Sequence, residues 1–265
     1  MQLGLSTAAF YGRWETEEAA ERIAQLPLDC AEVFLQTAGE YTPEFAQETR
    51  KRLAGIPCTS VHPLGTCFEN GIVSRSPRQR RDTFNVFLSV LDAGRVLGAR
   101  AYVYHGRHSP RLEALPWNLE QNIAALAPMC AEAEKRGMVI AWENVFWCQL
   151  TTPERVREAK AALPQVRFTL DIKQAMLAGC DPIEFVRAMG DALCNVHVCD
   201  WDRSGKLFLP GEGAFDFLAL FRALREAGYD GPVIMEPYLE LIGSDGALSR
   251  SIDFLRAQMR LAEWG

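Results

Sequence analysis

The chain has 265 residues, 48% hydrophobic and 23% charged, with a formal net charge of −6. This suits one large core and excludes a disordered or collagen-like chain. The acidic balance argues against a nucleic-acid partner, although not against a local basic cleft. No run nears the roughly 20 apolar residues that a membrane helix needs, so no membrane partner is expected.

Taken in order, a predicted strand at 3–7 precedes a helical pattern at 15–26, and a strand at 31–36 precedes a helix at 44–54. The same alternation continues with 58–63 and 77–97, 101–105 and 117–136, 138–144 and 153–161, 166–171 and 182–189, 194–199 and 215–226, then 233–237 and 247–262. Strands come from short apolar runs and helices from apolar spacings of three and four. Prolines 153 and 182 fit first helical turns, and Gly98, Gly137 and Gly228 fit helix ends. Eight strands in strict alternation with eight helices predict a parallel sheet, and the length favours a single-domain (β/α)8 TIM barrel over residues 1–265. No Gly-x-Gly-x-x-Gly follows the first strand, so a dinucleotide site has no support. The irregular stretches 64–76, 106–116, 201–214 and 238–244 all follow strands, which places them on the face where barrel chemistry sits. The opening residues carry no basic n-region, so the expected location is cytoplasmic. None of the eight cysteines forms a Cys-x-x-Cys pair, and most are expected to be buried, quiet thiols.

Four metal-type residues close apolar runs: Glu143, Asp171, His197 and Glu236. Three carboxylates and an imidazole arriving on one face repel unless a cation joins them, and one divalent metal ion is the simple answer. Oxygen donors put Mn²⁺ first, with Mg²⁺ close behind, while the imidazole admits Co²⁺, Zn²⁺ or Fe²⁺. His62 and His105 also end predicted strands and are read as substrate contacts, with a second metal ion or a structural histidine as the alternatives. His108, beside Arg107 in a loop, reads as solvated. Lys173 and Arg203 are cationic candidates for orienting substrate, Arg203 foremost. The Pro210-Gly211-Glu212-Gly213 turn offers backbone N–H groups to an anion. Phe10, Tyr11, Trp14, Trp142, Phe146 and Trp147 are candidate walls of a ligand pocket, with a rim plug or subunit contact as the alternative.

This residue set resembles the xylose-isomerase-like TIM barrels, a superfamily of sugar-phosphate isomerases and epimerases, ketose 3-epimerases, hydroxypyruvate isomerase, inosose dehydratase and AP endonucleases. The resemblance spans nearly the whole chain and is strongest from the fifth strand onward. The family's metal set runs Glu, Asp, His, Glu on strands five to eight, and Glu143, Asp171, His197 and Glu236 match it in identity and order. A second match is His197-Val198-Cys199-Asp200-Trp201-Asp202-Arg203 followed by Pro210-Gly211-Glu212-Gly213 and Asp216-Phe217. Two positions depart from the pattern: Gln174 stands where the family often has His, and Gln149 where ketose 3-epimerases tend to have a substrate-holding Glu. The resemblance implies a metal-dependent isomerase or epimerase of a small sugar or sugar derivative, working through an enediolate, with Glu143 and Glu236 exchanging protons. A dehydratase or lyase, an AP endonuclease-like phosphodiesterase and a non-catalytic sugar-binding barrel share the scaffold. The oligomeric state, monomer or homo-oligomer, stays open.

Overall fold

A computed structural model describes residues 1–109 and 115–263. Part of the expected loop 106–116 therefore lies outside the described residues. The strands are β1 (Gln2–Ser6), β2 (Cys30–Leu35), β3 (Cys58–Pro63), β4 (Ala101–Tyr104), β5 (Val139–Glu143), β6 (Arg167–Asp171), β7 (Leu193–Val198), β8 (Asp200–Trp201), β9 (Leu207–Phe208) and β10 (Pro232–Met235). All but β8 and β9 pair in parallel and close a barrel, with β1 joined to both β2 and β10. The helices are α1 (Thr16–Ile23), α2 (Pro43–Arg52), α3 (Pro77–Leu97), α4 (Leu119–Glu134), α5 (Pro153–Ala162), α6 (Ile172–Leu177), α7 (Pro182–Met189), α8 (Phe217–Glu226) and α9 (Asp245–Glu263). No helix among the described residues is long and apolar enough to cross a membrane.

Local chemistry sets these boundaries. Thr42, Ser76, Asn118, Thr152 and Asp216 each accept a backbone N–H from the first turn of the helix they precede, which satisfies donors that the helix itself leaves free. Gly98 ends α3 at φ 88°, a left-handed cap that a side chain would strain.

The main apolar core is the layer between strands and helices. Leu3, Val33, Ile140, Phe168 and Val233 meet Ala20, Phe87, Leu126, Val156, Phe185 and Leu224 there. Strand residues of opposite parity turn inward, and the barrel interior is polar. Ser6, Glu32, Ser60, Asn195 and His197 are fully or almost fully buried and joined by hydrogen bonds.

Three of these elements lie outside the sequence expectation. The short helix α6 starts directly after β6, and β8 and β9 form an antiparallel hairpin within the stretch read as irregular. Seven of the eight thiols are buried or half-buried, and burial pushes Cys58, Cys194 and Cys199 up to about 12. Cys67 is exposed.

Candidate functional site

Register brings the four candidate ligands together. Asp171 of β6 stands opposite His197 of β7, and Ile234 of β10 pairs with the same histidine. Glu236 sits one residue past β10, where its N–H still donates to the Val198 carbonyl at 3.0 Å. The result is a group in which one ligand atom from each of Glu143, Asp171, His197 and Glu236 lies within 4.8 Å of the others. His197 Nδ1 is 3.4 Å from both Glu143 Oε1 and Glu236 Oε2.

The donor set fits a divalent cation. Glu143 Oε2, Asp171 Oδ2 and His197 Nδ1 are buried and make no well-formed hydrogen bond among the described residues; their nearest polar neighbours are ion-pair contacts at 3.1–3.5 Å. Buried polar atoms left without a hydrogen bond are costly, and three of them converging from three strands are what a cation would satisfy.

Beneath this group lies Glu32, in the middle of β2 and absent from the sequence reading. Its carboxylate accepts from Ser6 Oγ at 3.1 Å, Ser60 Oγ at 2.7 Å and Asn195 Nδ2 at 3.0 Å, and meets His197 Nε2 at 3.0 Å. That contact fixes the imidazole with Nδ1 turned to Glu143 and Glu236, the carboxylate–histidine pairing typical behind a metal. Burial raises the Glu32 carboxyl, but the His197 and His62 rings outweigh it and hold the group well below the usual range.

His62 and His105 complete the wall. Their Nε2 atoms are 2.8 Å apart, His62 Nδ1 is 3.5 Å from both Glu32 Oε1 and Glu236 Oε1, and His105 Nε2 is 3.1 Å from Glu143 Oε2. Burial lowers His62, yet hydrogen bonding to Glu236 and Glu32 wins and raises it to about 10. Lys173, only 3% exposed, places Nζ 3.5 Å from Asp171 Oδ2 and 3.7 Å from Glu236 Oε2, under the Tyr238 ring. Burial and the facing Glu143 and Glu236 raise the Asp171 carboxyl to about 6 against the pull of Lys173.

The other candidates fall in several places. Trp147 is edge-on to His105 at 5.6 Å. Gln174 Oε1 accepts from Phe146 N at 3.3 Å, so its side chain ties the loop after β5 to α6. Gln149 is buried and donates Nε2 to the Pro116 carbonyl at 2.7 Å, while its Oε1 has no hydrogen-bond partner among the described residues. Arg203 is not brought to the group: it is exposed at the tip of the β8–β9 hairpin. Nor is Trp14, whose ring packs on Phe10 beneath the guanidinium of Arg22 at 3.5 Å. Phe10 and Trp142 are 1% exposed, and Trp142 stacks on Trp117, so both belong to the core rather than to a pocket wall. His108 is half-buried rather than solvated, bound by Asn70 and edge-on to Trp147. The Pro210–Gly213 turn is already engaged. Asp200 accepts from Gly211, Gly213 and Phe215 N–H groups at 3.0–3.1 Å, which takes the place of an external anion. A Cβ on Gly213 would lie 2.4 Å from Asp200 Oδ1, so only glycine fits.

Glu69, after β3, braces the rim from the side. It accepts from Gly106 N at 3.0 Å and Tyr102 OH at 3.3 Å. Burial raises its carboxyl to about 7 against the pull of His105. Between its ordinary value of 4.5 and about 7 the folded chain keeps a proton that the unfolded chain releases. Stability from this group is therefore full below pH 4.5 and is lost as pH rises through 7. The gap corresponds to ~3 kcal/mol. Urea unfolding of wild type and Glu69→Gln at pH 5 and pH 8 should show the difference between them moving in the variant's favour by roughly that amount at the higher pH. A difference independent of pH contradicts this.

Residues 20–258 match the family model described as the xylose isomerase-like TIM barrel. The chain is 24% identical, over an alignment of 290 positions covering 98% of both chains, to an uncharacterized protein of Mycobacterium leprae. Its structure is similar to a crystal structure of a D-tagatose 3-epimerase-like protein, with TM-score 0.79, 23% identity and coverage of 99% of this chain and 98% of that one. It is also similar to D-psicose 3-epimerase with D-tagatose from Clostridium cellulolyticum H10, with TM-score 0.81, 20% identity and coverage of 98% and 99%. With the closed barrel and a match over most of its length, the chain belongs to the xylose isomerase-like TIM barrel family.

Proposed function

We propose that this protein is a divalent-metal-dependent isomerase or epimerase acting on a small sugar or sugar derivative. The observation that carries the reading is the pair of carboxylates, Glu143 and Glu236, each 3.4 Å from His197 Nδ1 and each with a histidine at its other flank. Glu143, Asp171, His197 and Glu236 would hold the cation, with Mn²⁺ or Mg²⁺ suited to the oxygen-rich set. Bound there, a divalent cation acidifies the C–H beside the carbonyl of a hydroxy-ketone.

The chain's own residues supply the rest. One glutamate removes the proton and the other returns it to the opposite face, so the configuration inverts or the carbonyl moves. The His62–His105 pair, joined at 2.8 Å, faces Glu143 and Glu236 and would bind substrate hydroxyls. Lys173, held against Asp171 and Glu236, is the buried cation available to orient a substrate oxygen. It also favours dehydration as the second reading, because an ammonium beside the site can protonate a departing hydroxyl. A nuclease-type third metal site lacks donors: Gln174 is occupied with Phe146 N, and Leu207, Phe208 and Leu209 offer no ligands.

The test is proton exchange. In D₂O, with Mn²⁺ present, ketoses incubated with the protein should gain deuterium at the carbon next to the carbonyl, read by NMR. Loss of water from the substrate instead would select the dehydratase. Neither exchange nor dehydration across pentuloses, hexuloses and their phosphates would refute enzymatic proton transfer at this site.

A further inference from the structure

The chain is acidic overall, yet residues 75–81 contain four arginines, Arg75, Arg78, Arg80 and Arg81, that the proposed chemistry does not use. They stand at the start of α3, opened by Ser76 and Pro77. Beside this turn is a polar cleft of about 510 Å³. Asn70, Arg75, Gln79, Arg107, His108 and Gln121 line it, and no carboxylate among the described residues does. Gln79 and Gln121 belong to the first turns of α3 and α4, so two helix starts, each with partial positive charge, border the same space.

The lining is organised. Asn70 Oδ1 accepts from the His108 N–H at 2.9 Å while its Nδ2 meets His108 Nε2 at 3.2 Å, so one amide sets both loop and ring. Arg107 Nη1 donates to Gln121 Oε1 at 3.4 Å, leaning toward α4. The Arg75 guanidinium has neither a hydrogen bond nor an ion pair among the described residues.

The cleft also adjoins the acid group. His108 meets Trp147 at 5.5 Å, Trp147 meets His105 at 5.6 Å, and His105 Nε2 is 3.1 Å from Glu143 Oε2. Trp147 thus stands between His108, which lines the cleft, and His105, which lines the acid group.

We propose that this cleft is an oxyanion subsite, and that the sugar handled at Glu143 and Glu236 carries a phosphate bound by Arg75 and Arg107. The identity of the sugar rests on the isomerase reading; the anion site rests on its own residues. A neutral sugar gains little from two guanidinium groups, whereas a phosphate takes several charge-assisted hydrogen bonds from them.

The first probe is inorganic phosphate titrated into the whole chain, followed by calorimetry. Wild type should bind it saturably. Arg75→Gln/Arg107→Gln should weaken binding at least about tenfold, as expected for lost hydrogen bonds to a charged group. Arg78→Gln, exposed on the same helix but outside the cleft, should change it less than about twofold, as expected for a screened surface charge. No saturable binding, or an equal loss in Arg78→Gln, overturns the subsite. Acetate binding as tightly as phosphate overturns the phosphate assignment. The second probe compares a pentulose with its 5-phosphate in the exchange assay, where the phosphorylated ketose should show a KM at least about tenfold lower. The double variant should abolish that ratio. Exchange with neither ketose, while phosphate still binds at Arg75 and Arg107, defeats the isomerase reading and leaves the anion site supported. Exchange without phosphate binding does the reverse.

Discussion

Glutamine at position 143 or 236 is expected to lower kcat on the processed sugar by about 10² or more, the lower scale of acid–base catalysis. The substitution keeps side-chain volume but removes the basic oxygen. Both glutamates are also candidate ligands, so bound metal must be measured beside the rate. With metal retained, the loss should appear in kcat, and deuterium incorporation should fall with it. The effects of the two variants should not add, because each interrupts the same two-step transfer. Full activity in a metal-loaded Glu143→Gln or Glu236→Gln variant would end the two-glutamate account.

The second large effect is expected at Glu32, which lies behind His197. Its carboxylate faces the Asn195 amide and His197 Nε2 in a fully buried position. In Glu32→Gln the charge is lost and one oxygen becomes a donor. An NH₂ group at the Oε2 position would confront both the Asn195 amide and the imidazole N–H, so it is expected on the Oε1 side, facing Ser6 Oγ and His62 Nδ1, which leaves His197 Nε2 only a neutral acceptor. Metal affinity should fall about 10–100-fold, the usual effect of removing a partner behind a ligating histidine. The metal-free protein should lose about 1–3 kcal/mol of stability from the missing charged acceptor. Calorimetric titration with Mn²⁺ and urea unfolding of chelated protein read the two effects separately. Unchanged Mn²⁺ affinity in a folded Glu32→Gln protein would remove Glu32 from the positioning role.

The barrel was legible because each strand is a short apolar run and each helix repeats at three and four. Glu143, Asp171 and His197 were legible because they end such runs, where an inward side chain reaches the open face. Glu32 does not end a run. It stands mid-strand in Cys30-Ala31-Glu32-Val33, and the available signal was a lone carboxylate in a stretch too apolar to solvate it. Trp142 illustrates the opposite case. Strand parity places it on the face away from Glu143, so an inward glutamate already implied a tryptophan packed under the helices. Lys173 rather than Arg203 lies against the acid group, because spacing along the chain cannot show that 200–208 folds into a hairpin, which carries Arg203 out to solvent. Asp171 hides α6 in the same way: its Oδ1 accepts from Gln174 N at 2.9 Å, so one residue ends the strand and starts a helix too short to show periodicity.

The central claim is that one cation joins Glu143, Asp171, His197 and Glu236. Anomalous diffraction from crystals soaked in Mn²⁺ tests it most directly. The account predicts a single strong peak with these four side chains at about 2.0–2.3 Å. A crystal with no peak at this position under saturating Mn²⁺, or a peak held by other residues while these four stay apart from it, would contradict it.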